Sequence, residues 1–387
     1  MGGGQLGRMF VHAAQRLGYN TCVLDADPQS PAGLVSHHHI QADYNDAQGL
    51  ALGLTKMAAM CDAVTTEFEN VPAAALAQLA LSRPVAPSAA CVAIAQNRIE
   101  EKAHFTACAG ISGVNVAPYA VIETAAQLQA IPANLLPGIL KTARMGYDGK
   151  GQVKVKTLAE LTTAWADLRN VPCVFEKLMP LKAECSVIVA RGFDGKVVSF
   201  APQRNVHLDG VLAVTHAYPS NMPVAQSIRA QKATESIAHH IGYVGVLCVE
   251  FFMVDDGSEH GCLTVNEMAP RPHNSGHYTM DACDVSQFDL QVRAMAGLPL
   301  PQPRQHSPAI MLNLLGEVWF DAHGQPRTPD WQAVLALPGT HLHLYGKLGA
   351  RPGRKMGHLN ITGADVAVVM ATARQAAHIL GLPGLEG

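Results

Sequence analysis

RMGYDGKGQ, at residues 144–152, is the stretch that decides the fold of this 387-residue chain. It lies between two strand candidates, the first at residues 138–141, so it connects strands and does not open a helix. A glycine-rich turn between antiparallel strands can close over triphosphate oxygens, with Lys150 adding positive charge. The alternative is a plain hairpin with basic decoration. Lys141, a second cation on the preceding strand, favours the phosphate-binding interpretation.

Two carboxylates follow in strand candidates at residues 246–254 and 262–267. They are Glu250, in Val-Glu-Phe, and Glu267, in Val-Asn-Glu. If these strands pair, both acids can point into one cleft and hold Mg²⁺ against β- and γ-phosphate oxygens, as phosphoryl transfer requires. The alternative is a salt-bridged pair with a structural role.

A polar loop, APRPHNSGH at residues 269–277, comes directly after the second of these strands. Arg271 could hold a small planar oxyanion through two hydrogen bonds, and His273 could orient or deprotonate a reactant. A purely structural loop is the alternative.

Cations also gather near the C-terminus, on a stretch rich in glycine and proline. Lys347, Arg351, Arg354 and Lys355 suit a phosphate monoester. Considered as an isolated basic run, they fit a solvated surface equally well.

The chain opens with Gly2-x-Gly4-x-x-Gly7, an apolar helical pattern and a short strand that ends at Asp25. This pattern formally fits a dinucleotide fingerprint, in which small residues admit phosphate to a helix N-terminus. The same loop can receive a mononucleotide or a ribose phosphate. Such loops normally follow a central parallel strand, and only Met1 precedes this one. We therefore expect the first strand of this part to be absent.

Composition narrows the class of protein further. A formal net charge of −3 argues against broad nucleic-acid binding, which needs clustered basic residues. The nine cysteines form no C-x-x-C pair, so they are expected to be reduced thiols. No apolar stretch reaches the roughly 20 residues of a membrane span. These features predict a cytoplasmic protein without membrane contacts. The histidine run at 37–39 is interpreted as a strand or its edge.

The order of element candidates predicts three parts. Residues 1–97 should form a Rossmann-like α/β domain, residues 98–300 an α+β domain, and residues 301–387 a small C-terminal domain. In the middle part, strands at 173–176, 184–191, 197–200, 212–216, 246–254 and 262–267 have the spacing of one antiparallel sheet, covered by a helix over 225–241. The C-terminal part should contain strands near 310–314 and 341–345 and a closing helix over 365–380.

Seven segments, in order over essentially the whole chain, resemble the N5-carboxyaminoimidazole ribonucleotide synthetase family of the ATP-grasp superfamily. NEMAPRPHNSGH at 266–277 and RKMGH at 354–358 are the most specific of them. The others are GGGQLGRM at the start, TTEFENV at 65–71, NRIEEK at 97–102, GYDGKGQ at 146–152 and AECSV at 183–187.

The resemblance implies an ATP-grasp fold with a Rossmann-like N-terminal domain and a small C-terminal domain, with ATP between two sheets. The implied ATP contacts are Arg98, Lys141, Gly146, Tyr147, Asp148, Gly149, Lys150, Gly151, Gln152, Glu176, Lys177, Leu178, Met179, Glu184, His207, Asn266 and Glu267. The implied ribonucleotide contacts are Gln5, Leu6, Glu67, Asp148, Lys347, Arg354 and Lys355. Glu250 and Glu267 would bind Mg²⁺, or Mn²⁺ in its place. Arg271, His273 and Lys347 would be catalytic, the first two facing bicarbonate.

The implied reaction joins bicarbonate to the exocyclic amine of 5-aminoimidazole ribonucleotide, with ATP cleaved to ADP and phosphate, in a homodimeric enzyme. Three other interpretations compete. A second ATP-grasp ligase, such as formate-using glycinamide ribonucleotide transformylase, would share the lid and the paired carboxylates. A nicotinamide oxidoreductase would use Gly2 to Gly7 and Asp25. An inactive ribonucleotide-binding or scaffolding protein would have lost catalysis through its first domain.

Overall fold

A computed structural model describes residues 1–146 and 151–385. The N-terminal part alternates helices with short strands because apolar residues recur at helical spacing and then in short runs. Its first two strands pair in parallel, and Val64 pairs with Val85 in a further parallel bridge. Residues 38 and 39 of the histidine run lie in β2, so the strand interpretation is confirmed. The elements are α1 (Gln5–Arg16), β1 (Cys22–Asp25), β2 (His38–Gln41), α2 (Ala47–Met60), α3 (Ala73–Ala80) and α4 (Ala89–Ala95).

Met1 and Gly2 lie between the two halves of this parallel arrangement. The Gly2 amide donates to Leu24 O at 3.0 Å, and the Met1 ammonium donates to Thr65 O at 2.7 Å. A cavity of about 850 Å³ opens between β1 and the segment at residues 63–66. We call it the apolar groove. Its walls are mostly apolar side chains, among them Phe10, Val11, Val23, Met57, Met60, Val64 and Val292.

The middle part contains helices and two separate sheets. Its elements are α5 (Arg98–Ser112), β3 (Asn115–Val116), β4 (Tyr119–Ile122), α6 (Ala125–Gln129), β5 (Gly138–Thr142), β6 (Gln152–Val155), α7 (Leu158–Asp167), β7 (Cys173–Lys177), β8 (Leu181–Arg191), β9 (Val197–Ser199), β10 (Gln203–Leu208), β11 (Val211–Ala217), α8 (Val224–His240), β12 (Gly245–Val254), β13 (Cys262–Ala269), α9 (Thr279–Ala282) and α10 (Gln287–Met295).

The expectation of one antiparallel sheet in the middle part is wrong for the strand that starts at Cys173. That strand, β7, belongs to a four-stranded sheet with the order β4-β7-β5-β6. Its side chains share a separate core with α7, in which Phe175 packs with Leu161 and Leu140. Only three residues separate β7 from β8, yet the chain passes from one sheet to the other there. Because both strands are buried and apolar, their sequences do not reveal that they have different partners.

The larger sheet runs through the middle part and into the C-terminal part. Three strands of the C-terminal part, β14 (Ala309–Leu315), β15 (Thr340–Leu344) and β16 (Lys355–Thr362), belong to it. The strand order is β15-β16-β14-β11-β10-β8-β12-β13-β3, and β9 pairs with β8 beside this path. The junction is the antiparallel pair β11 and β14, in which Val214 lies opposite Leu312. The expected closing helix is confirmed as α12, which begins after Asp365 and ends before Gly381. The C-terminal elements are β14 (Ala309–Leu315), α11 (Trp331–Leu335), β15 (Thr340–Leu344), β16 (Lys355–Thr362) and α12 (Val366–Leu380).

Packing between the parts brings their loops together. α1 lies on α10, where Met9 and Ala13 contact the cluster that contains Phe288 and Val292. Within the described ranges, no helix has the length and apolar character needed to cross a membrane.

Candidate active site

A second cavity, of about 840 Å³, opens where the three parts of the chain meet. We call it the charged cleft. Its walls carry many ionisable and amide side chains from all three parts. Among them are Gln5, Glu67, Glu69, Arg98, Lys141, Gln152, Glu184, His207, Glu250, Asn266, Glu267, Arg271, His273, Lys347 and Lys355. Most of the residues predicted for the site therefore share one cavity.

Two lysines hold one buried carboxylate beside the cleft. Lys141 Nζ lies 3.1 Å from Glu176 Oε2, and Lys102 Nζ lies 3.3 Å from Glu176 Oε1. Burial would raise the pKa of Glu176, but the two ammonium groups outweigh it and lower the pKa. Lys102 also donates to Asn266 O at 3.0 Å. Lys102 is the last residue of the motif at 97–102, but the sequence predicted no role for it, because a lysine on a helix usually faces solvent.

The first turn of α5 presents Arg98 to the same region. Asn97 caps the helix by accepting from the Ile99 amide, which sets the direction of the next side chain. Arg98 Nη1 then lies 2.9 Å from Glu267 Oε2. Burial would raise the pKa of Glu267, yet the charge and hydrogen bond of Arg98 lower it to about 2. Glu267 is therefore an anion throughout the physiological pH range.

Glu250 and Glu267 lie on paired strands, as the sequence predicted. β12 and β13 are antiparallel, and their register shifts between Val249 and Phe251. Such an irregularity re-aims side chains. Burial and the neighbouring charge of Glu267 raise the pKa of Glu250 to about 7. The buried Asn266 Oδ1 has no hydrogen-bond partner among the described residues. Two carboxylates and a bare amide oxygen form a donor set that suits Mg²⁺.

His273 is held in place between these acids and α10. Its amide donates to Gln287 Oε1 at 2.8 Å, and Gln287 Nε2 donates to its carbonyl oxygen at 2.7 Å. The ring Nε2 lies 3.4 Å from Glu250 Oε1. Burial and the nearby cation Arg271 lower the pKa of His273 well below its usual range, so the ring is neutral. Gln287 has no distinguishing sequence signal, and sequence reasoning did not find it.

Arg271 enters the cleft from the same loop. Its Nε forms an ion pair with Glu69 Oε2, and its Nη1 donates to Pro272 O at 3.1 Å. On the neighbouring strands β10 and β8 of the larger sheet, His207 Nδ1 lies 3.0 Å from Glu184 Oε2. Burial would lower the pKa of His207, but the hydrogen bond to Glu184 raises it.

Two carboxylates from elsewhere in the chain accept hydrogen bonds from the amides of the N-terminal glycine loop. Glu67 accepts from the amides of Gly4 and Gly7, each at 2.8 Å, and Asp25 accepts from the Gly3 amide at 2.7 Å. A Cβ on Gly4 would lie 2.9 Å from Glu67 Oε1, so glycine is needed here for close approach of a side chain. The amides that a dinucleotide pyrophosphate would use are therefore already bonded. This geometry argues against the oxidoreductase interpretation.

The C-terminal cations divide into two groups. Lys347 and Lys355 line the cleft, and Lys347 Nζ donates to Lys355 O at 2.7 Å. Burial, with the repulsion of Arg354, lowers the pKa of Lys347 to about 8. Arg354 instead donates to Leu348 O and Gly349 O, and it is not among the described residues of the cleft wall. Lys355 is the first residue of β16, a strand that the sequence interpretation had missed.

The structure describes the two ends of the predicted lid. Tyr147, Asp148, Gly149 and Lys150 lie outside the described residues. Gly146 and Gln152 line the cleft, and Gly151 accepts from the Thr142 amide at 3.0 Å. Lys177 is the last residue of β7, and Leu178 and Met179 lie in the connection to β8. None of the three is among the described residues of the cleft wall.

The two most specific sequence segments meet through buried histidines. The rings of His277 and His358 lie 4.5 Å apart between centroids. Asn360 Nδ2 donates to His277 O at 2.9 Å. These contacts join the loop that carries Arg271 to the sheet of the C-terminal part.

Two sheets around a cleft, with paired acids facing buried cations, define an ATP-grasp protein, and family models agree with this class. They match an ATP-grasp domain at residues 108–288, a ribonucleotide synthetase preATP-grasp domain at 1–96, and a phosphoribosylaminoimidazole carboxylase C-terminal domain at 309–372. The chain belongs to the N5-carboxyaminoimidazole ribonucleotide synthase family.

Individual relatives support this membership. The N5-carboxyaminoimidazole ribonucleotide synthase of Brucella melitensis is 42% identical over 93% of this chain and 94% of its own. The Staphylococcus aureus synthetase complexed with ADP has a TM-score of 0.85 at 34% identity, covering 98% of this chain and 95% of its own. The Aspergillus clavatus synthase in complex with ADP and 5-aminoimidazole ribonucleotide has a TM-score of 0.85 at 30% identity, covering 98% and 97%.

Proposed function

We propose that this chain catalyses the ATP-dependent carboxylation of 5-aminoimidazole ribonucleotide with bicarbonate in purine biosynthesis. The products are N5-carboxyaminoimidazole ribonucleotide, ADP and phosphate. The observation that carries the proposal is the charged cleft, where Arg98, Lys141, Glu250 and Glu267 line one cavity together with residues from all three parts of the chain. Mg²⁺ as cofactor, a homodimeric state and a cytoplasmic location belong to the same proposal.

The cleft suits the polyphosphate of ATP. Lys141 and Arg98 are buried cations, and such groups stabilise charge that develops on a transferred phosphoryl group. Glu250 and Glu267, with Asn266 Oδ1, would hold Mg²⁺, which would neutralise phosphate charge when bound. Glu184, paired with His207, lines the same cleft from β8, where it could contact a nucleoside.

Bicarbonate is a poor electrophile and needs activation. One of its oxygens attacks the γ-phosphorus, ADP leaves, and carboxyphosphate forms. Loss of phosphate from that anhydride gives carbon dioxide, which the exocyclic amine attacks before it loses a proton. Arg271 can hold the bicarbonate anion, and the neutral ring of His273 can accept a proton. A closed cleft would keep water from the anhydride.

The ribonucleotide would lie at the end of the cleft formed by the N- and C-terminal parts. Lys347 and Lys355 supply positive charge for a phosphate monoester, and Gln5 lines the same cavity. Holding the amine beside the activated carbon converts an encounter of two molecules into an internal step.

The test is ADP release from the full chain with Mg-ATP and bicarbonate, with and without 5-aminoimidazole ribonucleotide. The proposal expects strong stimulation by the ribonucleotide and its loss, by about 10²-fold or more, in Glu267→Gln. Glu259→Gln is the matched control, because Glu259 is exposed on the loop that joins the same two strands. It should keep full activity.

Three outcomes would contradict the proposal. Stimulation by formate with glycinamide ribonucleotide, but not by bicarbonate with the aminoimidazole, would identify another ATP-grasp ligase. Absence of ATP turnover from folded protein would leave only a binding role. Equal activity in Glu267→Gln would remove the metal assignment.

A further inference from the structure

A cluster of two histidines and one cysteine lies outside the charged cleft, where α5 packs on α8. His104 and Cys108 come from α5, and His240 is the last residue of α8. One nitrogen or sulfur atom from each of the three lies within 4.8 Å of the other two. Across residues 1–146 and 151–385, this is the one group of three His, Cys, Asp or Glu side chains with that spacing.

The spacing along α5 explains the first half of the cluster. Residues four apart lie on the same helix face, so His104 and Cys108 point to the same place. The His104 Nε2 and Cys108 Sγ atoms are 3.4 Å apart. Zn–N bonds of about 2.0 Å and Zn–S bonds of about 2.3 Å in a tetrahedron separate such atoms by roughly 3.5 Å. The pair therefore already has the separation that a shared ion requires.

The end of α8 supplies the third donor. The rings of His104 and His240 lie 5.3 Å apart between centroids. His240 is exposed, so its ring can approach an ion without moving the helix. The C-terminal end of a helix also carries partial negative charge, which favours a cation.

We propose that His104, Cys108 and His240 bind a zinc-type transition-metal ion that clamps α5 to α8, with water as the fourth ligand. Two nitrogens and one sulfur suit Zn²⁺ or Co²⁺ and not Mg²⁺, so this ion would not compete for the carboxylates of the cleft. Because the thiol must lose its proton, binding would weaken as the pH falls.

The proposed metal ion would bind to α5, the helix that contributes side chains to the charged cleft. The first turns of α5 carry Arg98, which pairs with Glu267, and Lys102, which donates to Asn266 O. An ion held further along the helix would stabilise the folded state, by an amount that rises with the logarithm of its binding affinity.

The experiment titrates Co²⁺ into the full-length chain after removal of metals with a chelator. The expected result is one Co²⁺ per chain with a thiolate-to-cobalt charge-transfer band, displaced by Zn²⁺. The carboxylates of the cleft cannot produce this band, so the readout does not depend on the proposed enzymatic activity. Cys108→Ala should abolish the band.

His240→Ala should weaken Co²⁺ binding at least tenfold, by analogy with the loss of supporting contacts at metal sites. His239→Ala is the matched control, because it is the neighbouring exposed histidine on the same helix end. It should bind as the unmodified chain does. Equal weakening in both variants, persistence of the band in Cys108→Ala, or absence of any thiolate band would overturn the proposal. His240→Ala changes an exposed side chain, so it keeps the test decisive if Cys108→Ala does not fold.

Discussion

Two cavities of nearly equal volume share Glu67 as a wall residue. The charged cleft encloses about 840 Å³ and the apolar groove about 850 Å³. The cleft contains paired acids, buried cations and shifted pKa values, whereas the groove is lined mostly by apolar residues such as Val23 and Met57. Volume alone does not distinguish a reaction site from a packing defect. A reaction site is distinguished by charged side chains that converge on one cavity and have perturbed pKa values.

Lys141→Met tests the cleft with the largest expected effect. Methionine keeps much of the side-chain length and removes the charge, so Glu176 would keep only Lys102. We expect kcat/KM for ATP to fall by about 10²–10³-fold. Lys154→Met, on the exposed face of the neighbouring β6, is the control and should leave the rate unchanged. Steady-state kinetics on both variants, with circular dichroism to verify folding, checks the difference. A rate near that of the unmodified chain would show that the charge of Lys141 does not contribute to catalysis in the charged cleft.

Met57→Ala tests the apolar groove. Met57 is 1% exposed within the core of the N-terminal part, so truncation should lower the free energy of unfolding by about 2–5 kcal/mol. The kinetic constants of the folded protein should stay close to those of the unmodified chain. Met60 lies one helical turn further along and is 48% exposed, so Met60→Ala should lower the free energy of unfolding by less than about 0.5 kcal/mol. Urea denaturation measures both. A selective loss of turnover in Met57→Ala would show that the groove takes part in catalysis.

Glu67→Gln tests the hydrogen bonds of Glu67, which lines both cavities. A glutamine offers one carbonyl oxygen, so it cannot accept from the amides of both Gly4 and Gly7 in the way the carboxylate does. The free energy of unfolding should fall by about 1–2 kcal/mol. Glu160→Gln removes an exposed carboxylate that accepts from the Lys156 amide, and it should have a smaller effect. Thermal melts measure the difference. Equal melting temperatures for the two variants would contradict a capping role for Glu67.

The smallest expected effect is a pH dependence of metal binding. The pKa of Glu250 is about 7, and a proton on this carboxylate competes with the ion. Affinity for Mn²⁺, used as a spectroscopic probe for Mg²⁺, should therefore fall about fivefold from pH 7 to pH 6 and level off above pH 8. Glu267 stays ionised there, since its pKa is about 2. Glu250→Gln should bind more weakly and without this slope. An unchanged slope in the variant would assign the titration to another group.

Sequence patterns predicted much of the cleft because its acids and cations occur in short, unusual segments. The pairing of the strands that carry Glu250 and Glu267 was anticipated and is confirmed. Lys102 and Gln287 were missed, because a lysine or glutamine on a helix has no local feature that marks it as buried. β16 was missed since it begins at the end of a basic stretch rich in glycine and proline that is typical of a loop, and its pairing with β14 and β15 makes it a strand.

The amino-acid sequence by itself determined the class of fold, the family and which charged residues belong to the cleft in most cases, because these depend on local periodicity and on short motifs. The tertiary structure alone decided which sheet β7 joins, that Glu67 accepts hydrogen bonds from the glycine-loop amides, and that the rings of His277 and His358 lie 4.5 Å apart. It also determined the pKa values of Glu250 and Glu267. Burial and distance between side chains cause these properties, and both arise only when residues far apart in the chain pack together.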